Sequence, residues 1–157
     1  MKPRAVRLSL TVQYAARAAA LPAVGTLRRW ARAALEHDAA VTLRFVGTRE
    51  AKRLNEVFRG KDYATNVLTF VYDEANALAG DIVLCTPVLR REAKGQGKAF
   101  FDHCAHLVVH GMLHLQGYDH DNPRAARAME RRETAILASL CVPDPYADPH
   151  PARPGRA

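Results

Sequence analysis

Between His110 and His120 the sequence reads His-Gly-Met-Leu-His-Leu-Gln-Gly-Tyr-Asp-His, and this run restricts the fold more than any other stretch of the chain. His110 and His114 stand four residues apart, so an α-helix through them stacks both imidazoles on one face, within reach of a common point. Gly117 follows within a turn, where a left-handed residue commonly ends a helix and reverses the chain. That reversal carries His120 back over the face His110 and His114 share. Three imidazoles fill three corners of a tetrahedron and leave the fourth to water, the pattern of a catalytic rather than a structural zinc. Solvated histidines scattered on a helix give no reason for a glycine between the second and third of such a set. Five of the seven histidines fall between His103 and His120, and imidazole-rich donor sets favour Zn²⁺ over hard cations. One zinc ion per chain, held by His110, His114 and His120, is expected.

The spacing H-x-x-x-H-x-x-G-x-x-H is also the frame of the metzincin peptidases, whose second residue is glutamate. That carboxylate takes a proton from metal-bound water and passes it towards the leaving amine. Gly111 occupies the place here and can do neither. The frame points to a hydrolytic metal site, and the glycine points away from peptide hydrolysis.

The rest of the chain reads as one small α+β domain. Val6, Leu8, Leu10 and Val12 alternate with Arg7, Ser9, Thr11 and Gln13, a half-buried strand. A helix is predicted from about Thr26 to about His37, then a strand through Val41, Leu43 and Phe45. Thr48 stands at the N-cap place of a polar helix that turns Leu54, Val57 and Phe58 inward and ends at Gly60. This alternation of strand and helix implies a crossover between parallel strands. Val67 to Tyr72 reads as a third strand and Gly80 to Cys85 as a buried fourth. Thr86 and Pro87 open a helix that Gly95 and Gly97 break. The central helix starts near Lys98, with Phe100, Cys104, Leu107 and Val108 as its core stripe and Gly111 allowing close packing. Asn122 and Pro123 open the last helix, with Met129, Ile136 and Leu140 inward and Arg124, Arg127, Arg131 and Arg132 in water. Residues 1–141 form the domain, while five prolines after Val142 make residues 142–157 a disordered tail.

A net charge of +7 favours polyanionic partners. Cys85, Cys104 and Cys141 are odd in number and widely spaced, which gives neither a disulfide framework nor a metal knuckle and fits a reducing cytoplasm. No apolar run is long enough to span a membrane. The N-terminal region has arginines but no acidic residue before Glu36, a profile that mimics a transit peptide. Its strict alternation reads instead as a mature first strand.

The run from His110 to His120 resembles the signature of the YbeY family, bacterial single-domain metal-dependent endoribonucleases of ribosomal RNA maturation and ribosome quality control. The stretch from Arg59 through Lys61-Asp62 to Thr65-Asn66-Val67-Leu68-Thr69-Phe70 is similar to the family's second motif. Asn66 stands there for an aspartate, Thr69 for a serine and Val71 for a proline, which leaves the third strand free to run on to Tyr72. Gly80-Asp81-Ile82 is similar to the family's Gly-Asp-Ile strand. The resemblance implies a zincin-like α+β fold, a small mixed four-stranded sheet packed with helices. It implies a single-strand-specific, zinc-dependent endoribonuclease acting at the 16S ribosomal RNA 3′ end in the cytoplasm. Ribosomal RNA, the small ribosomal subunit and an assembly GTPase are the implied partners. Arg59 and His114 are the implied catalytic residues, with Arg59 and Lys61 binding substrate. A guanidinium suits a phosphodiester in a way an ammonium does not. Asp119 and His106 are candidates to orient the ligand imidazoles. The general base stays open between metal-bound water, Asp119 and an RNA 2′-hydroxyl. The competing reading is a non-catalytic ribosome-assembly factor in which zinc only locks the fold and the basic surface holds RNA.

Overall fold

Alternation along the strands sends neighbouring side chains into two separate cores, one on each face of a four-stranded sheet. A computed structural model of the chain describes residues 5–15, 20–74 and 77–147. The elements run β1 (Leu8–Tyr14), α1 (Val24–Ala33), β2 (Ala39–Val46), α2 (Thr48–Arg59), β3 (Val67–Glu74), β4 (Ala77–Cys85), α3 (Thr86–Gln96), α4 (Phe100–Leu115) and α5 (Pro123–Ser139). The sheet order is β1-β2-β4-β3. β1, β2 and β4 are parallel, and β3 closes one edge antiparallel to β4. Ile82 and Leu84 of β4 join Val41, Leu43 and Phe45 of β2 beneath α1, α4 and α5. Val83 and Cys85 point the other way, into a smaller core with Val46, Ala51, Leu68 and Val88. This is the mixed four-stranded α+β fold expected from the sequence, and α4 lies at the centre of the larger core.

Several local expectations change. Val57 and Phe58 do not face inward: they are 67% and 63% exposed. The smaller core has room only for Ala51 and part of Leu54, and Phe58 leans edge-on against Phe70 of β3 with ring centroids 5.1 Å apart. Thr48 and Thr86 are the first residues of their helices, with Gly47 and Cys85 at the cap positions and no side-chain cap. α3 runs through Gly95 and stops at left-handed Gly97. Asn122 caps as expected, its side chain accepting a hydrogen bond of 2.9 Å from the Ala125 N–H. β4 begins at Ala77, ahead of Gly80, because β3 extends to Glu74 and supplies backbone partners for those residues.

The segment from Val142 to Ala147, assigned to a structureless tail by its prolines, folds back onto the domain instead. Cys141 adopts a left-handed φ of 61° and the Val142 N–H donates to the Leu137 carbonyl at 2.8 Å, which reverses the chain after α5. Lys98 Nζ then donates to the Pro145 carbonyl at 2.9 Å, and the Tyr146 hydroxyl reaches Glu133. Proline lacks an N–H but keeps its carbonyl, so a proline-rich stretch can still be anchored by donors from the body. Residues 148–157 lie outside the described residues.

Cys85 and Cys104 are buried and Cys141 is exposed. Burial pushes the Cys104 thiol up to about 12, so it packs as an uncharged small hydrophobe. Among the described residues no helix is long and apolar enough to cross a membrane.

Candidate metal centre

The chain leaves α4 through a turn tied to the end of α1. Gln116 Nε2 donates to the Ala34 carbonyl at 2.8 Å, and its Oε1 accepts from the Glu36 N–H at 2.6 Å. Tyr118 Oη donates to Glu36 Oε1 at 3.2 Å. Gly117 sits at φ 106°, a conformation side chains other than glycine rarely tolerate. Held this way, the turn brings His120 back over α4. Its ring centroid lies 5.7 Å from that of His110 and 6.1 Å from that of His114.

Two of the three rings are oriented by partners on their Nδ1 atoms. His110 Nδ1 lies 2.6 Å from Glu133 Oε1 and His114 Nδ1 lies 3.0 Å from the Tyr118 carbonyl oxygen. A carboxylate and a carbonyl accept, so each Nδ1 carries the proton and each Nε2 keeps its lone pair for a metal. Histidine ligands are commonly fixed through the far nitrogen in this way. Burial holds the His114 imidazole below its ordinary range, outweighing the Tyr118 carbonyl, and so keeps it in the neutral form that ligation needs. The donor set fits a borderline-soft ion such as Zn²⁺.

Glu133 was not foreseen as part of the site. It is fully buried on α5, and its carboxylate also takes His106 Nε2 at 3.0 Å and the Tyr146 hydroxyl. Burial alone pushes its pKa up, but these hydrogen bonds outweigh that and hold it at about 2. The signal in the sequence was a charged residue on the apolar stripe between Met129 and Ile136, where α5 faces inward. His106, His110 and Glu133 offer ligand atoms within 4.8 Å of one another and could themselves hold a metal ion. Their closeness is also what one carboxylate shared by two imidazoles produces. A cation among them has to displace hydrogen bonds in the interior, whereas the Nε2 atoms of His110 and His114 need no such exchange. Asp119 Oδ1 accepts from the Asp121 N–H at 2.9 Å, and its charge lies near enough to act on the His114 ring, partly opposing the effect of burial there.

His110, His114 and His120 line a cleft of about 560 Å³ whose opposite wall is β3 and the end of α2. Arg59, Phe58, Asn66 and Thr69 are on that wall. The structure thus brings Arg59 and the three histidines to one cavity. Lys61 is exposed beyond the end of α2 and is not part of the lining. Asn66 donates to both Glu92 oxygens, at 3.2 and 3.3 Å, while its own Oδ1 accepts from the Val67 N–H at 2.7 Å. An amide suits this place because an aspartate there faces a second carboxylate. Glu92 is engaged with buried His103 as well, at 3.0 Å.

Gly111 is fixed by packing. A Cβ at this position falls 2.9 Å from Ile82 Cγ2 and 3.0 Å from Cδ1, so β4 leaves no room for the peptidase glutamate.

Comparison with known proteins agrees in one direction. The sequence profile of the family described as "Endoribonuclease YbeY" matches residues 18–141. A protein of Aromatoleum aromaticum with that description is 60% identical over 144 residues, spanning 90% of this chain and 94% of the relative. One of Thiobacillus denitrificans with the same description is 52% identical over 144 residues, spanning 90% of this chain and 98% of the relative. The solution structure of a Thermotoga maritima protein shares the fold, with a TM-score of 0.57 over 94% of this chain and 99% of that one at 24% identity.

Proposed function

The chain belongs to the YbeY family of endoribonucleases, and on that premise we propose that the cleft between β3 and α4 cuts single-stranded RNA with one zinc ion held by His110, His114 and His120. The observation that carries this reading is the seating of Arg59 in the same cleft as the three imidazoles. Zinc bound there supplies Lewis acidity toward water and a phosphoryl oxygen. Arg59 offers its planar fork to the non-bridging oxygens of the scissile phosphate, where negative charge grows as the phosphorus is attacked. His114 acts in the reaction as a ligand facing the cleft. Glu133 and the Tyr118 carbonyl keep protons at the Nδ1 atoms of His110 and His114, so neither ring can turn away. Lys61, outside the lining, binds phosphates of neighbouring nucleotides.

Phe58 supports the preference for an unpaired strand. Its exposed ring stands at the cleft beside Arg59, and base stacking on an aromatic face requires a strand whose bases are not already paired. Family membership and the net charge of +7 support ribosomal RNA as the substrate, in maturation of the 16S 3′ end and ribosome quality control. They also support work on the small subunit, alongside an assembly GTPase, in the cytoplasm. A non-catalytic assembly factor is disfavoured, because zinc that only locks a fold is normally closed by four protein ligands, and here the third histidine is exposed at an open cleft.

The test is cleavage of a ribosomal RNA fragment beside elemental analysis. Wild type should carry about one zinc and cut. His114→Ala should lose both metal and cleavage, and a chelator should lower the wild-type Tm. Wild type that carries zinc yet cuts no RNA supports the assembly-factor reading instead.

A further inference from the structure

Beyond α5 the chain forms a strap, Val142 to Ala147, whose Tyr146 is 48% exposed yet sends its hydroxyl to the buried Glu133 carboxylate. The strap is anchored from three sides. Asp144 Oδ1 accepts from the Tyr146 N–H at 2.9 Å and from Thr134 Oγ1 at 3.4 Å, and Lys98 Nζ holds the Pro145 carbonyl at 2.9 Å. The Tyr146 ring packs edge-on against His106 with centroids 5.4 Å apart, and its hydroxyl donates to Glu133 Oε2. Glu133 Oε1 is the atom that accepts from His110 Nδ1. Tyr146 also borders the cavity that opens onto His110 and His120 from the α5 side.

We propose that Tyr146 is a positioning residue for the metal centre, fixing the Glu133 carboxylate so that His110 presents Nε2 to the metal. This rests on the reading of His110, His114 and His120 as ligands. A buried carboxylate has two oxygens to satisfy, and it rotates about its terminal bond unless both are held. Oε1 is committed to His110. Oε2 is shared by the Tyr146 hydroxyl and His106, whose Nε2 lies 3.0 Å away. Without the hydroxyl, Oε2 keeps His106 as its one protein partner, and the carboxylate is freer to turn toward whichever N–H is nearest. That turning loosens the His110 ring. Changes to groups that hold a metal-binding histidine typically weaken metal affinity about 10–100-fold. Because Tyr146 acts one bond further out, the lower end of that range applies.

Tyr146→Phe keeps the ring against His106 and removes only the hydroxyl. The experiment measures Zn²⁺ affinity by chelator competition and the visible absorption of the Co²⁺-loaded protein, for wild type, Tyr146→Phe and His114→Ala. In the metal-free state, ¹⁵N NMR reads the His110 tautomer. The expected result is binding about tenfold weaker in Tyr146→Phe, a changed Co²⁺ spectrum and loss of the single Nδ1–H tautomer, with the metal lost in His114→Ala. Wild-type affinity, spectrum and tautomer in Tyr146→Phe, while His114→Ala loses the metal, overturn the role of Tyr146 and leave the ligand set standing. Equal binding by wild type and His114→Ala overturns the ligand set, and the role of Tyr146 with it.

Discussion

Glu133 of α5 and His110 of α4 meet through a hydrogen bond of 2.6 Å between Oε1 and Nδ1, with the glutamate side chain 1% exposed. A buried carboxylate is costly unless it is paired, and the pairing here sets the tautomer of a proposed metal ligand. Glu133→Gln places an amide whose NH₂ cannot accept from an imidazole N–H. Zinc affinity should fall about 10–100-fold while circular dichroism stays close to wild type. Chelator competition measures it, and an unchanged affinity removes Glu133 from the metal centre.

Acid should destabilise the metal-free protein in two stages of the same sign. Burial lowers the pKa of His103 and of His114, with Glu92 partly offsetting it for His103. A histidine lowered in this way binds fewer protons folded than unfolded. Its contribution is fully present above the unfolded value near 6.5 and is lost as pH falls below that. Glu133, held at about 2 against an ordinary 4.5, loses its contribution as pH falls between those values. The Tm of the metal-free protein should therefore drop on acidification from neutrality and drop again in strong acid. A Tm that is flat from about pH 7 to about pH 5, the span that crosses the ordinary histidine value, contradicts the first stage.

The gathering of His110, His114 and His120 was legible because helix geometry turns a four-residue spacing into a shared face and a glycine into a reversal. The sheet was legible because strands alternate. Glu133 was not, since nothing in a linear spacing says which residue of α5 crosses to α4. Only its charge on an apolar stripe gave a hint. Phe58 was misread because the periodicity of α2 assigns a face, and the small core beneath that face ends before the last turn. The strap was missed because proline content reports a lack of regular structure, which is not a lack of anchors.

Gly111 gives a test of how α4 sits on the sheet. An alanine there gains helix propensity of about 1 kcal/mol but drives its methyl into Ile82, which is fully buried in the core. Overpacking of this kind costs about 1–3 kcal/mol. Gly111→Ala should lower stability by about 1 kcal/mol net, and Ile82→Ala in the same chain should make the two changes less than additive. Denaturant unfolding of the double-mutant cycle measures this. Strict additivity denies the contact.

Arg59 separates chemistry from metal binding and from folding. It is not among the proposed ligands and is exposed at the cleft, so Arg59→Glu should keep the zinc, the Tm and the fold. Removing one preorganised donor to a developing charge costs on the order of a hundredfold in rate, and Arg59→Lys should restore only part because a point charge cannot repeat the forked contact. The decisive measurement is the RNA cleavage rate beside zinc content in wild type, Arg59→Glu and Arg59→Lys. Full zinc in all three, with cleavage falling about a hundredfold or more in Arg59→Glu and partly recovered in Arg59→Lys, is the result expected of the proposed active site. Cleavage by Arg59→Glu at the wild-type rate contradicts it.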